Sequence, residues 1–302
     1  MPSWQFRLIK AIFQIRRLLN PPTGMFDVEK ERAESEALAA NFRTKIELTC
    51  IPVIANGVPA EWITTPTSSA DTVILYLHGG SYISGSIASH RSLAASIIHA
   101  AKARALIVGY RLAPECRFPA AVDDARAVYR WLLENHVSPD HIIVAGDSCG
   151  GGLVLSLLIS LRDEELPLPA AAVCLSPWTD LTCTGESWET NRKKDIMIDP
   201  EALRKSAQLY LGESDPRTAL ASPLYADLKG LPPILIQVGS EEILLSDATC
   251  FAEQAQATGT EVTLQVWKGM QHEWHFATNI LPEARQAIAQ IGRFVEAQIG
   301  SV

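Results

Sequence analysis

The chain is 302 residues long, 47% hydrophobic and carries a net charge of −8. That length suits one large α/β domain with an appendage or two modest domains, and the apolar fraction argues against disorder. No basic block marks a nucleic-acid partner and no apolar segment approaches the length of a transmembrane helix, although Arg7, Lys10, Arg16 and Arg17 gather near the N-terminus.

Residues 3–19 place Trp4, Leu8, Ile12, Ile15 and Leu19 at helical spacing, with charges on the other face. Packing on the body, a lid over a pocket and contact with a membrane surface all suit such a helix. Its charges interrupt any apolar stretch of signal-peptide length, so no leader is expected. Pro21-Pro22-Thr23-Gly24 is expected to end it, and a second helix spans Glu29 to Phe42. From residue 45 the chain alternates through Ile46, Leu48 and Cys50, passes an Asn56-Gly57 turn and resumes at Trp62 to Thr65, which signals a β-hairpin. Strands at Thr72 to Leu77 and Ala105 to Tyr110 then alternate with helices at Ser89 to Ala101 and Val122 to Asn135. A mostly parallel sheet with both faces covered follows from that alternation.

Ile142-Ile143-Val144-Ala145 runs into Gly146-Asp147-Ser148-Cys149-Gly150, and an apolar run follows from Leu153 to Leu161. Gly-x-Ser-x-Gly alone would occur by accident in about one chain of this length in ten. Between a strand and a helix it is a tight turn that lifts a serine hydroxyl clear of the sheet. The amide of Cys149 then opens the helix and points at the place where negative charge would develop. Further strands are expected at Ala170 to Leu175, Pro232 to Gly239 and Val262 to Trp267, with helices at Ser246 to Thr258 and Pro282 to Ile299. Residues 178–222, polar and irregular around a helix from Pro200 to Tyr210, interrupt the alternation as a lid insertion would.

Sites in such sheets lie beyond the carboxyl ends of the strands. The tips carry His78-Gly79-Gly80-Ser81, Ser148, Glu241-Glu242 and Met270-Gln271-His272. Nucleophile, acid and base thus follow the chain order Ser, acid, His. His272 is the best placed of seven histidines, with His275 as its rival. His78 is expected to hold its loop by hydrogen bonds, and His90, His99, His136 and His141 need no role. The cysteines, Cys50, Cys116, Cys149, Cys174, Cys183 and Cys250, form no C-x-x-C pair, so zinc is not indicated and a reducing cytoplasm is the expected location.

These motifs together resemble the bacterial hormone-sensitive-lipase family of α/β-hydrolase esterases. His78-Gly79-Gly80-Ser81 is similar to the family's His-Gly-Gly-Gly loop, with Ser81 at the third glycine. Tyr110-Arg111-Leu112-Ala113-Pro114-Glu115 with Phe118-Pro119-Ala120-Ala121, the elbow Gly146 to Gly151 and Gly269-Met270-Gln271-His272 resemble its other blocks. The match runs from about residue 45 to the C-terminus. It places Glu242 at the family's aspartate, with Glu241 and Asp247 as rivals. Cys149 stands where the family has alanine, either as a tolerated small residue or as a redox-sensitive thiol.

The resemblance implies an α/β-hydrolase fold with a helical cap: residues 1–45 as cap segment, 46–302 as catalytic domain, and a cap insertion at 178–222. It implies a carboxylic ester hydrolase for short- to medium-chain acyl esters that forms an acyl-enzyme on Ser148, with His272 as base and Glu242 as orienting acid. The oxyanion hole would comprise Gly79, Gly80, Ser81 and Cys149, with Gly79 shaping the turn. Tyr82, Trp178 and Trp274 lead the pocket-lining candidates, beside Trp4, Phe13 and Trp188. No metal or cofactor is implied, and the partner is a small-molecule ester. A homodimer through the closing strand and helix stays open. So do a lactone, carbamate or amide as the cleaved bond, and a non-catalytic ligand-binding role like that of the plant gibberellin receptors.

Overall fold

The computed structural model of the chain describes residues 2–19 and 26–300, apart from the side chains of residues 16–18. Two helices, α1 (Trp4–Leu19) and α2 (Val28–Ala39), precede the hairpin β1 (Thr49–Ala55) and β2 (Val58–Thr64). The stop at Pro21 to Gly24 lies outside the described residues. Next come β3 (Val73–Leu77), α3 (Ile87–Ala101), β4 (Arg104–Val108), α4 (Ala120–Glu134), β5 (Ile142–Asp147), α5 (Cys149–Asp163) and β6 (Ala171–Leu175). The chain closes with α6 (Ser187–Thr190), α7 (Pro200–Leu211), β7 (Ile234–Gly239), α8 (Leu245–Ala257), β8 (Val262–Trp267) and α9 (Pro282–Ile299).

The eight strands form one sheet in the order β1-β2-β4-β3-β5-β6-β7-β8. The first two pairings are antiparallel and the rest parallel. Asn56 and Gly57 both take positive φ, which lets the β1–β2 turn match the twist of its strands. The hairpin starts at Thr49 rather than near residue 45, because its ladder ends where Thr49 meets Thr64. Strand β4 stops at Val108, where its ladder with β2 ends opposite Ala60. Beyond it the amide of Gly109 donates to Pro59 O at 2.8 Å.

Strand residues alternate between two cores. Val73, Leu75 and Leu77 pack with α4, α5 and α8 on one face, and Ile74 and Tyr76 with α3 and α9 on the other. Every residue of α5 from Cys149 to Leu161 is buried, and all but Ser156 and Ser160 are apolar, as a helix covered on every side requires. Helix starts follow their caps: Asp27 accepts from the Glu29 and Lys30 amides, Ser86 and Ser89 form a capping box, and Asp199 caps α7 ahead of Pro200.

Helix α1 corrects one expectation. The stripe Trp4, Leu8, Ile12, Ile15 and Leu19 faces outward. The inward side is a second apolar row, Phe6, Ile9 and Phe13, with Phe6 packed on Met270, Trp274 and Leu281. The helix start is pinned by Ser3, whose amide and hydroxyl both donate to Glu283. Helix α2 is held by Arg32, which donates to Ile83 O at 2.8 Å, Ala113 O at 3.1 Å and both oxygens of Glu115. The two N-terminal helices are thereby fixed over the carboxyl end of the sheet.

Candidate active site

Chain direction reverses across β3: β4 lies on one side of it and β5 on the other. The crevice beyond the carboxyl ends of β3 and β5 is where an open α/β sheet forms its site. Strand β5 delivers Ser148 there, at φ 52° and ψ −124°, a conformation strained for a non-glycine residue. The turn holds because the Ser148 amide donates to Leu175 O at 2.8 Å, while its carbonyl accepts from Trp178 and Gly152. Gly150 must be glycine, since a Cβ there would sit 2.2 Å from Leu77 O and 2.4 Å from His78 O.

The loop after β8 carries His272 and the loop after β7 carries Glu242. His272 Nε2 lies 3.0 Å from Ser148 Oγ, and its Nδ1 lies 2.7 Å from Glu242 Oε2. Glu242 is fully buried, and its other oxygen accepts from the Ser176 hydroxyl at 2.8 Å and the Gly239 amide at 2.5 Å. The rivals are spent elsewhere. Glu241 pairs with Lys10 of α1 and accepts from Gln271, and Asp247 accepts from the Thr179 and Asp180 amides and Trp188 Nε1. His275 is buried, with Nε2 2.9 Å from Gln237 Oε1 and away from Ser148. Residues 191–196 clamp both loops. The Asn191 amide group donates to Glu242 O, Asp195 accepts from the Ile243 amide, and Gln271 bridges the Ile196 amide and Lys194 O.

On the other side of Ser148 lies the loop after β3. The amides of Gly80, Ser81 and Cys149 have no acceptor among the described residues. Ser81 takes φ 56°, so the serine occupies a left-handed position that glycine would fill without strain. Gly79 is a correction: its amide donates to Asp147 Oδ2 at 3.1 Å, leaving it no proton for a substrate oxygen. His78 lends structure, with Nδ1 donating to Gly79 O at 2.7 Å and its ring stacked on Tyr110.

Asp147 anchors a polar network that the sequence reading missed. It accepts from Tyr76 Oη at 2.5 Å and from His90 Nε2 at 3.1 Å. Burial would raise its pKa, but His90 and hydrogen bonds from Glu273 and Tyr76 outweigh that and keep it ionised. His90, read as needing no role, is thus a supporting group; nothing in its local sequence marks it, because its partner lies 57 residues away. Glu273 sits at φ 54°, with Oε1 3.6 Å from His272 Nε2. Burial and the neighbouring Asp147 carboxylate push it up to about 8. His272 is raised to about 9: burial lowers it, but the carboxylates of Glu273 and Glu242 win.

Only neutral His272 can accept a proton, so negative charge beside it moves its action to higher pH. Below about pH 8 Glu273 is a neutral donor to Asp147, and above it Glu273 is a negative charge beside His272; Glu273→Gln keeps the donor and never acquires the charge. The acid limb of the kcat/KM profile is expected to move to lower pH in this variant. An unmoved or raised midpoint would show that Glu273 does not act on the imidazole.

Cys149 corrects the redox alternative. Its thiol is buried and pushed up to about 12 by that burial, despite the Tyr82 amide donating to Sγ, so thiolate is scarce at neutral pH.

A cavity of about 130 Å³ opens beside His272 and Gly80. Its wall is mostly apolar, with Phe6, Ile9 and Phe13 of α1, Leu38, Phe42, Met197, Trp274 and Phe276, beside a few polar groups such as Lys10 and Gln271. Phe13 and Trp274 therefore line it, whereas the other aromatic candidates do not. Trp178 and Trp188 are buried, and Tyr82 stacks on Tyr210 with ring centroids 3.8 Å apart, because packing of residues 178–222 onto α5 and α8 takes these rings into the core. Trp4 points to solvent. Among the described residues no group of three or more His, Cys, Asp or Glu could hold a metal ion, and no helix is long and apolar enough to cross a membrane.

A family model described as the alpha/beta hydrolase fold matches residues 74–276. The chain belongs to the α/β-hydrolase family. An acetyl-hydrolase of Streptomyces hygroscopicus is 49% identical over 241 residues, covering 80% of each chain. An ethyl acetate hydrolase of Pseudomonas putida is 31% identical over 74% of this chain and 72% of its own length. The crystal structure of an esterase from the bacterial hormone-sensitive lipase family superposes with a TM-score of 0.94 at 44% identity, covering 99% of this chain and all of the other. Within the α/β-hydrolases the chain sits with these bacterial esterases, and it is an enzyme of the carboxylesterase type.

Proposed function

We propose that this α/β-hydrolase cleaves short- to medium-chain acyl esters through a covalent acyl-enzyme on Ser148. The observation that carries this reading is the row Glu242, His272, Ser148, joined at 2.7 and 3.0 Å beside an apolar cavity. His272 Nε2 takes the hydroxyl proton as Oγ attacks the ester carbonyl. Glu242 holds the Nδ1–H tautomer and stabilises the imidazolium that forms. The oxyanion accepts from the amides of Gly80, Ser81 and Cys149, each such donor contributing about 2.7–4 kcal/mol in the transition state. The imidazolium then protonates the leaving alkoxide, and the alcohol departs. Water attacks the acyl-enzyme with His272 again as base, and the carboxylic acid leaves.

Residues 1–45 and the insertion at 178–222 serve as the cap. In support, Phe6, Ile9 and Phe13 from the first and Ile196 and Met197 from the second contribute to one cavity wall. An acetyl-hydrolase and an ethyl acetate hydrolase among the relatives point to a small acyl group.

The test is a p-nitrophenyl ester series from acetate to dodecanoate. kcat/KM is expected to peak between acetate and octanoate and to fall beyond, since each methylene that finds apolar contact adds up to about 0.8 kcal/mol and each one past the wall adds nothing. Phe13→Ala lengthens the cavity and should move the peak to longer chains. A profile that rises steadily to dodecanoate in the native enzyme, or is unmoved in the variant, refutes this pocket.

A further inference from the structure

Among the described residues the outer face of α1 has no partner in the fold. Trp4, Leu8, Ile12, Ile15 and Leu19 recur every three or four residues and are 70%, 54%, 54%, 56% and 75% exposed. They are five of the ten exposed large hydrophobic residues among those described. The helix contains no Asp or Glu, and its charged residues are Arg7, Lys10, Arg16 and Arg17, in a chain of net charge −8. The two sides of the helix are divided in task. Phe6, Ile9 and Phe13 wall the cavity and Lys10 is engaged by Glu241, while the outer stripe stays exposed among the described residues.

An apolar stripe with a tryptophan at one end, on a basic helix of 16 residues, is the pattern of helices that lie in the plane of a lipid interface. We propose that the outer face of α1 docks on an anionic phospholipid surface. Charge decides between that surface and a second copy of the chain. Face-to-face pairing would bring together two helices that each carry basic residues and no acidic one, and like charges across an interface oppose association. An anionic lipid surface is instead complementary in sign to a helix whose charged residues are all basic. Docked this way, α1 would lie between the membrane and the cavity, with the substrate wall on its far side.

The test uses the full chain in flotation assays with vesicles of phosphatidylcholine alone and of phosphatidylcholine with an equal part of phosphatidylglycerol. Binding to the anionic vesicles is expected to exceed that to the neutral ones by about tenfold or more and to weaken as salt rises. The variant L8S/I12S/I15S should lose about tenfold in binding while turnover of soluble p-nitrophenyl acetate stays unchanged, because none of the three side chains faces the cavity. Arg16→Gln with Arg17→Gln leaves the apolar stripe intact and should remove much of the salt dependence. Absence of native binding, equal binding to both vesicles or full binding by the triple variant overturns the proposal. So does sedimentation showing a native dimer that the triple variant dissociates, because a second copy then covers the face.

Discussion

Ser148→Ala is expected to lower kcat by a factor on the order of 10⁶, the loss found when a serine nucleophile is removed from such a triad. Alanine keeps the same Cβ at the same strained turn, so the hydrogen bonds of the Ser148 amide and carbonyl to Leu175, Trp178 and Gly152 remain and the fold should be intact. What disappears is the oxygen 3.0 Å from His272 Nε2. The amides of Gly80, Ser81 and Cys149 persist, so a residual rate above that in water should survive, and KM should change little. The measurement is steady-state turnover of p-nitrophenyl acetate, with labelling by a fluorophosphonate as a second reading. Native enzyme should take up one equivalent of label and the variant none. A variant retaining more than about one hundredth of native turnover would mean that another group carries the reaction.

Glu242→Gln is expected to reduce kcat by about 10⁴, the cost of the corresponding change in a Ser-His-Asp triad. The geometry supplies the reason. Glu242 Oε1 accepts from the Gly239 amide and the Ser176 hydroxyl, so a glutamine must keep its carbonyl oxygen there. Its NH₂ then faces His272 Nδ1, donor against donor. The imidazole answers by moving its proton to Nε2, which turns Nε2–H toward Ser148 and leaves no lone pair to receive the hydroxyl proton. Flipping the amide instead sets NH₂ against the Gly239 N–H inside a fully buried site, which is costly as well. Glu241→Gln provides the contrast: it weakens contacts to Lys10 and Gln271 at the edge of the cap and should leave kcat within a few-fold. If Glu241→Gln proves the damaging change and Glu242→Gln retains turnover, the orienting acid is one residue earlier.

The Glu242 and Glu241 side chains show how far a sequence reaches. Adjacent carboxylates are indistinguishable by composition and nearly so by motif. What separates them is that one points to the loop after β8 and the other to α1, and this depends on where β7 and β8 end beside each other in the sheet. The aromatic residues tell the same story. Tyr82, Trp178 and Trp274 look alike as flexible lining for a cleft, yet two of the three are taken into the core by the packing of 178–222.

Neighbouring residues impose what is legible along the chain: the strand–turn–helix around Ser148, the Asn56-Gly57 hairpin, and the order in which strand tips carry serine, carboxylates and histidine. Steric limits on φ and ψ, end-of-helix hydrogen bonds and the two-residue period of a strand act within a few residues, so they can be read locally. Tertiary packing chose which side of α1 faces inward, since two apolar rows share that helix and the cavity beneath selects one. It alone joined Asp147 to His90 and set Glu273 beside His272 Nε2. Those pairings belong to residues brought together by strand order and loop packing, and their energies depend on burial and on charges contributed from several elements at once.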